Sequence, residues 1–328
     1  MVSKLDDDAP ALVGEVAHGS RLAGGLAFAV VSAATFGLSG PLARPLLEAG
    51  WSPGAIVLVR VSIAALVVLP LGLVALRGRW DVLRRNAGLV TLYGVLAVAG
   101  AQFCYFSAVA HMQVGPALLI EYTAPAAVVC WMWLRHGQRP GRLTLLGAGV
   151  AALGLVLVLD LVSGADLSPV GVAWALAAMV GAATYFVISA DEDNGMPPMV
   201  LAAGGLVVGS LALGLAGLVG LLPMEAATST VAYAGLDVDW WVPLVVLGVV
   251  TAAIPYTTGI AASRRLGSRL ASFVALLEVV AGVLFAWLLL DELPRAVQLL
   301  GGLLILAGVV GVKLGERTTA VNHSLELP

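Results

Sequence analysis

The sequence predicts an all-α integral membrane protein with ten transmembrane helices, arranged as two inverted repeats of five helices each. Three observations predict this fold: an apolar composition, ten apolar runs of membrane-spanning length, and an alignment between the two halves of the chain. Of 328 residues, 60% are hydrophobic and 11% are charged, and the mean hydropathy is +1.00. Soluble domains carry about 25% charged residues. The composition therefore argues against a soluble protein and against a nucleic-acid partner.

Apolar runs of about 20 residues, the length that spans a bilayer as a helix, occur ten times along the chain. They occupy residues 22–43, 53–76, 87–110, 114–134, 142–161, 169–189, 197–221, 241–262, 269–290 and 295–314. Short polar or Gly/Pro-containing segments separate them. The weakest boundary lies between the third and fourth runs, at His111, Met112 and Gln113. A protein of nine helices is therefore the main alternative.

The distribution of lysine and arginine predicts the orientation, because cytoplasmic loops carry an excess of these residues. With a cytoplasmic N-terminus, fourteen of the 17 Lys and Arg residues fall on the cytoplasmic side, Arg44 and Arg295 fall outside, and Arg60 lies within the second run. Both termini are therefore expected in the cytoplasm, with residues 1–20 and 316–328 as flexible tails. The Lys-poor composition, rich in Ala, Val, Leu and Gly, favours a bacterial inner membrane.

The two halves of the chain align with each other. QRPGRLTLLGAGVAALG (138–154) matches ELPRAVQLLGGLLILAG (292–308) at a constant offset of 154, with proline and glycine residues in register. We therefore divide the chain into a first repeat, residues 21–162, and a second repeat, residues 168–315. Each repeat holds five helices, an odd number, so the second repeat inserts with the opposite orientation. Inverted repeats place a substrate site near the middle of the membrane, between the two halves.

These segments together resemble the EamA-like families of the drug/metabolite transporter superfamily over roughly residues 22–314. ELPRAVQLLGGLLILAG is similar to the family's closing pattern of an acidic residue followed by glycines. ALLIEYTAPAAVV, AIPYTTGIA and IVLVRVSIAAL are similar to segments of the threonine/homoserine exporter group. The resemblance implies a secondary active transporter that exports a small polar metabolite such as an amino acid, driven by a cation gradient or by exchange. The chain departs from the family at Val279, where proline often follows the glutamate, and at Gln138, where glutamate is common.

Three ionisable residues lie inside predicted spans, where each costs about 2.5–3.5 kcal/mol on insertion scales and marks a candidate site. Arg60 and Glu121 each lie seven residues into a span, about 10 Å deep, so an ion pair between them is predicted to be within reach. Such a pair either locks two helices together or opens for a zwitterionic substrate; alternatively, Arg60 extends to the headgroups. Glu278 lies about 13 Å deep. It is a candidate for proton coupling, for binding a substrate amine, or for a neutral hydrogen bond to a neighbouring helix.

Two prolines, Pro125 and Pro255, interrupt the fourth and eighth predicted spans. The carbonyl groups that they free need partners from neighbouring helices or from a polar cavity, and a packing kink without a site is the alternative. The candidate substrate contacts near these breaks and on the third span are Gln102, Tyr105, Tyr122 and Tyr256. The tyrosines combine an apolar body with a polar tip, which suits a small amphipathic solute; aromatic packing without ligand contact is the alternative.

No residue cluster in the sequence predicts a metal site or a cofactor. Cys104 and Cys130 lie in apolar runs, as packing residues do, and the four histidines form no pair at helical spacing. The expected partners are a small-molecule substrate and the lipid bilayer, with a homodimer as one expected assembly.

Two other classes of function fit parts of the sequence. Gly37-Leu38-Ser39-Gly40 matches the G-x-S-G string of intramembrane serine proteases, with His111 as the base, but so short a string is expected by chance among 39 glycines. A lipid or lipophilic-compound translocase of the same fold is the second alternative. We therefore expect a transporter and no enzymatic activity.

Overall fold

The structure is a computed structural model, and it describes residues 9–124, 133–134, 141–158, 168–191, 193–292, 295–297, 299–304, 306–308 and 310–311. The helices are α1 Ala9–Gly37, α2 Ser39–Glu48, α3 Pro53–Leu76, α4 Trp80–Arg85, α5 Ala87–Leu92, α6 Ala101–His111, α7 Val114–Glu121, α8 Arg142–Val158, α9 Pro169–Ala190, α10 Pro198–Leu218, α11 Trp241–Gly248, α12 Ile254–Val274, α13 Leu277–Leu290 and α14 Leu299–Gly308. Two π-helical stretches, Tyr93–Gly100 and Val249–Ala253, join α5 to α6 and α11 to α12. Helix α1 begins within the segment 1–20, whose flexibility stays a prediction.

Seven helical segments of the described chain are long and apolar enough to cross a membrane. They are Leu22–Glu48, Pro53–Leu76, Ala87–His111, Pro169–Ala190, Pro198–Leu218, Trp241–Ser268 and Leu270–Leu290. Two shorter apolar helices, Arg142–Gly154 and Leu299–Gly308, lie at the fifth and tenth predicted spans. The fourth predicted span, 114–134, is described only in part. The predicted membrane fold is thus confirmed for seven spans, and the count of ten stays a prediction.

The helix ends follow from local sequence. Two spans begin with Ser-Pro: the hydroxyl oxygens of Ser52 and Ser168 accept hydrogen bonds from the third backbone N–H that follows, at 3.3 Å in both cases. Serine is a preferred N-cap, and proline at the first helical position loses no hydrogen bond. Met112 has an extended backbone (φ −151°) between α6 and α7. This confirms the predicted boundary between the third and fourth spans.

Helix packing groups the spans into two bundles of three. In the first bundle, α1 and α2 pack against α12 and α13; in the second, α9 packs against α6 and α7. Helix α3 packs along α10. In span numbers, the first bundle holds spans one, eight and nine, and the second holds spans six, three and four. Exchanging each span with its equivalent in the other repeat therefore converts one bundle into the other. The same exchange converts the α3–α10 pair, spans two and seven, into itself. The packing therefore has the symmetry that an internal repeat predicts, although each bundle takes helices from both repeats.

The two π-helical stretches occupy equivalent places in the two repeats. Shifted by the repeat offset of 154, Tyr93–Gly100 covers residues 247–254, which contain Val249–Ala253. Short π-helical stretches are rare and occur frequently at functional sites. Their recurrence marks the middle of the third and eighth spans as a region of interest, which the sequence does not predict.

A short antiparallel hairpin lies in the loop between α10 and α11, a departure from the predicted all-α fold. Its strands are β1 Val231–Tyr233 and β2 Leu236–Val238. The Tyr233 hydroxyl donates to the Leu42 carbonyl at 2.6 Å, and the Ala234 N–H donates to the Leu289 carbonyl at 3.0 Å. Burial raises the pKa of Tyr233, so its hydroxyl remains a donor. We call this end of the molecule the hairpin end and the other the opposite end.

Candidate functional site

A cavity lies at the interface of the two bundles. Its volume is about 60 Å³, room for about two water molecules at ~30 Å³ each. Its polar lining residues are Ser32, Gln102, Glu121, Ser263 and Glu278. Its aromatic lining residues are Phe36, Tyr122, Tyr185, Phe186 and Tyr256. The cavity thus brings together two carboxylates and an aromatic wall in the interior of the protein.

Arg60 lies beside this cavity and is fully buried. Its guanidinium donates to the side-chain oxygen of Gln102, to the Ser39 hydroxyl at 2.8 Å, and to the Thr251 carbonyl. Pro255 has no N–H, so the Thr251 carbonyl four residues earlier lacks its usual helical donor. The buried arginine supplies a partner for that carbonyl. Arg60 thereby holds α2, α3, the third span and the eighth span together.

The surroundings of Arg60 are aromatic on two sides. Its guanidinium carbon lies 5.2 Å from the centroid of the Phe106 ring and 6.0 Å from that of Phe36, within cation–π range. Among the described residues, its Nε has no hydrogen-bond partner, and no ion pair joins it to Glu121. The Arg60–Glu121 ion pair, which the sequence predicts to be within reach, is not formed in this conformation, in which Arg60 donates to Gln102 instead.

Glu121 and Glu278 approach the cavity from different bundles. Glu121 ends α7 in the second bundle, and Glu278 lies in the first turn of α13 in the first bundle. Each is 8% exposed. The Tyr122 hydroxyl donates to Glu278 across the interface of the bundles. A cavity with two acidic groups and one neighbouring guanidinium can contact both charged ends of a zwitterion.

Two tyrosines of the second bundle press against glycines of the first bundle. A Cβ atom on Gly40 would overlap with the Tyr105 hydroxyl, and one on Gly259 would overlap with the Tyr185 hydroxyl. Within the described part of the chain, neither hydroxyl has a hydrogen-bond partner. Tyr105 and Gly259 are 154 residues apart, the offset at which residues 138–154 align with residues 292–308. Only glycine allows contacts this close. The two bundles are therefore in tight contact at two places, Gly40 against Tyr105 and Gly259 against Tyr185.

Each end of the molecule has an arginine that bonds backbone carbonyls of the other bundle. At the hairpin end, Arg44 of α2 donates to the carbonyls of Met112 at 2.9 Å and Val109 at 3.3 Å. At the opposite end, Arg264 of α12 donates to the Met196 carbonyl, in the segment that follows α9. These contacts join the bundles on both sides of the cavity.

The structure brings most of the sequence-predicted site residues together. The five that line the cavity are Gln102, Glu121, Tyr122, Tyr256 and Glu278. Arg60 lies behind Gln102, and Tyr105 is buried against Gly40 rather than among the lining residues. Pro255 lies beside the site, and Pro125 lies outside the described residues. Ser39 accepts from Arg60, while His111 Nδ1 lies 2.7 Å from the Ser107 carbonyl, so these two are not paired as the protease alternative requires.

Several cavity residues were not predicted from the sequence. The unpredicted polar and aromatic lining residues are Ser32, Phe36, Tyr185, Phe186 and Ser263. A signal for two of them exists in the internal repeat, because VSAATFG (31–37) aligns with VGAATYF (180–186) and places Phe36 on Tyr185. Aromatic residues at equivalent positions of both repeats would have identified this wall of the cavity.

Comparison with known proteins gives consistent matches over most of the chain. Residues 23–160 and residues 169–314 each match the EamA-like transporter family. An uncharacterized transporter of Archaeoglobus fulgidus is 29% identical over 252 residues, which cover 77% of this chain and 83% of that protein. The threonine/homoserine exporter RhtA of Salmonella typhimurium is 26% identical over 288 residues, covering 84% of this chain and 86% of the exporter. One crystal structure has the same fold, with a TM-score of 0.63 and 22% identity over 88% of this chain and 96% of its own.

Proposed function

The chain belongs to the EamA-like transporter family, and on that premise we propose that it is a secondary active transporter that exports an amino acid or a similar zwitterionic metabolite. One observation carries this proposal: two carboxylates, an aromatic wall, and a buried guanidinium whose Nε has no partner among the described residues meet at the interface of the two bundles. The substrate ammonium contacts Glu278 and Glu121. The substrate carboxylate contacts Arg60 after Gln102 moves aside.

The size of the cavity supports transport by alternating access. Pockets for small molecules have volumes of about 300–1,000 Å³, and this cavity has about 60 Å³. A metabolite therefore enters only when the bundles separate. Arg44 and Arg264 each donate to a backbone carbonyl of the other bundle, one at each end of the molecule. The bundles can therefore separate at one end while the arginine at the other end keeps them in contact. Because the packing has the symmetry of the repeats, the state open at one end and the state open at the other are related by exchange of the two repeats.

The orientation and the coupling follow from charge. The excess of Lys and Arg in the loops at the opposite end supports a cytoplasmic location for that end, and a location outside the inner membrane for the hairpin end. Export then means loading from the opposite end. Glu278 carries the coupling proton, because its carboxylate lines the cavity and is bonded by the Tyr122 hydroxyl of the other bundle, so that its charge acts on both bundles. The likeness to a threonine/homoserine exporter supports an amino acid as the substrate.

The proposal is tested by flux measurements on the full-length protein in proteoliposomes. Labelled threonine, homoserine and other amino acids are followed with and without an imposed pH gradient. The Glu278→Gln protein is expected to exchange substrate across the membrane, but at a rate that no longer depends on the pH gradient. The Arg60→Gln protein is expected to show no flux. Glu225→Gln is the matched control, because Glu225 is exposed in the loop between α10 and α11, away from the cavity. Flux of no amino acid, or equal flux in all four proteins, would contradict the proposal.

A further inference from the structure

A second, larger cavity lies outside the proposed substrate site, as a groove between α7, α13 and α14. Its volume is about 380 Å³, and its walls are almost entirely apolar. Pro116 and Leu119 of α7 form one wall, Val279 and Val283 of α13 form the floor, and Leu303 of α14 forms the other wall. The groove runs along the helices, since its lining positions on α13 recur every three or four residues.

The dimensions of the groove match one leaflet of a bilayer. On α13, the residues that line the groove extend from Leu276, the N-cap, to Ala286. This length corresponds to about 15 Å at 1.5 Å per residue. Half of a hydrocarbon core of about 30 Å has the same thickness. Val280, Leu299 and Leu303 along its rims are 47%, 51% and 64% exposed. In a membrane, this surface faces lipid chains.

The groove ends in polar groups at the hairpin end. Gln113 and Glu292 line its mouth. Glu292 Oε1 lies 3.9 Å from Nη1 of Arg44, a long contact that leaves acceptor capacity. The mouth thus offers an acidic acceptor next to a guanidinium. This pair of charges is complementary to a headgroup that holds an ammonium beside a phosphate.

From this geometry we propose that the groove binds one acyl chain of a phospholipid with a primary-ammonium headgroup, such as phosphatidylethanolamine, from the leaflet at the hairpin end. The ammonium donates to Glu292, and the phosphate lies toward Arg44. Helices α7 and α13 belong to different bundles, so the bound chain lies across their interface. A quaternary headgroup cannot donate a hydrogen bond, and an anionic headgroup meets Glu292 and Glu48, so both bind more weakly.

Native mass spectrometry of the full-length chain tests this proposal with lipids of identical acyl chains. We expect one phosphatidylethanolamine per chain, held at least fivefold more tightly than phosphatidylglycerol or phosphatidylcholine. Gly302→Leu fills the groove, because a Cβ there meets no atom within 4 Å, and it should lower binding at least fivefold. Gly149→Leu is the matched control: its Cβ also meets open space, but outside the groove. Glu292→Gln should retain lipid but lose the preference among headgroups.

A second filling variant keeps the test decisive if Gly302→Leu fails to fold. Gly115→Leu enters the groove from α7, where a Cβ lies 3.7 Å from Val283. Equal lipid retention by the wild type and a folded filling variant would overturn the proposal. So would equal affinity for the three headgroups, or a protein dimer that the filling variants abolish, since the groove would then hold a second copy of the chain.

Discussion

Replacing Gly40 with alanine tests whether the two bundles separate at the hairpin end during transport. An added Cβ would lie 2.7 Å from Val114 Cγ1 and closer still to the Tyr105 hydroxyl. Tyr105 is 4% exposed and Val114 is fully buried, so relief requires a shift of the helices. Overpacking of this kind costs about 1–3 kcal/mol. Because the overlap exists only while this end is closed, the equilibrium should shift toward the open state by about 5–150-fold.

The shift is measured as the alkylation rate of a reporter thiol at Ala43→Cys. Ala43 is fully buried on α2, near Gly40. The native thiols are first removed as Cys104→Ser and Cys130→Ser, and the protein is labelled with a polar maleimide in nanodiscs. Gly40→Ala should raise the rate at least fivefold. Gly88→Ala, whose Cβ meets no atom within 4 Å, should leave it unchanged.

A glycine-to-alanine change at the other tight contact between the bundles should act in the reverse direction. A Cβ on Gly259 overlaps with the Tyr185 hydroxyl and lies 2.8 Å from Ser32 Oγ. Gly259→Ala should therefore favour opening at the opposite end, and the rate at the Ala43→Cys thiol should fall. An unchanged rate in a monodisperse Gly40→Ala protein, or a rise of equal size in both variants, would refute this reasoning.

Three further substitutions test the contacts at the hairpin end. Arg44→Gln removes two charge-assisted hydrogen bonds to the second bundle, each worth up to about 1.5–3 kcal/mol, and should raise the Ala43→Cys rate several-fold; an unaltered rate would show that Arg44 does not hold this end closed. Tyr233→Phe loses its bond to the Leu42 carbonyl, about 1 kcal/mol, and should lower the melting temperature by a few degrees in differential scanning fluorimetry, whereas no change would contradict a stabilising hairpin. Ser52→Ala loses an N-cap worth about 0.5–2 kcal/mol, together with the bonds of its hydroxyl to the Pro223 carbonyl and the Glu225 N–H, and should lower the melting temperature at least as much, with Ser52→Thr as the variant that restores it.

The membrane fold and the candidate ionisable residues are predictable because they depend on local quantities. A fixed rise per residue gives the depth of Arg60, Glu121 and Glu278 from the ends of their spans. The insertion cost of charged groups marks the same residues as candidates. The depth of a residue does not give the rotation of its helix, however. The sequence therefore predicts a reachable Arg60–Glu121 pair, whereas Arg60 bonds to Gln102.

Other features depend on contacts between distant segments and leave weak signals in the sequence. The β1–β2 hairpin is held by Tyr233 and Ala234 against the ends of two distant spans. Its strands of three residues are too short for a periodic pattern. The two π-helical stretches have no compositional signature. The arrangement of the bundles requires packing between repeats, which the alignment at offset 154 indicates only in its symmetry.

The central claim is that the molecule opens at one end at a time, and paired distance measurements test it most directly. Spin labels at Glu48→Cys and Ala110→Cys report the separation of the bundles at the hairpin end, and labels at Arg265→Cys and Asp193→Cys report it at the opposite end; all four positions are exposed. Electron–electron distances are recorded with and without saturating amino acid. We expect populations in which one distance lengthens while the other shortens. Two distances that lengthen together, or that do not respond to any amino acid, would contradict the account.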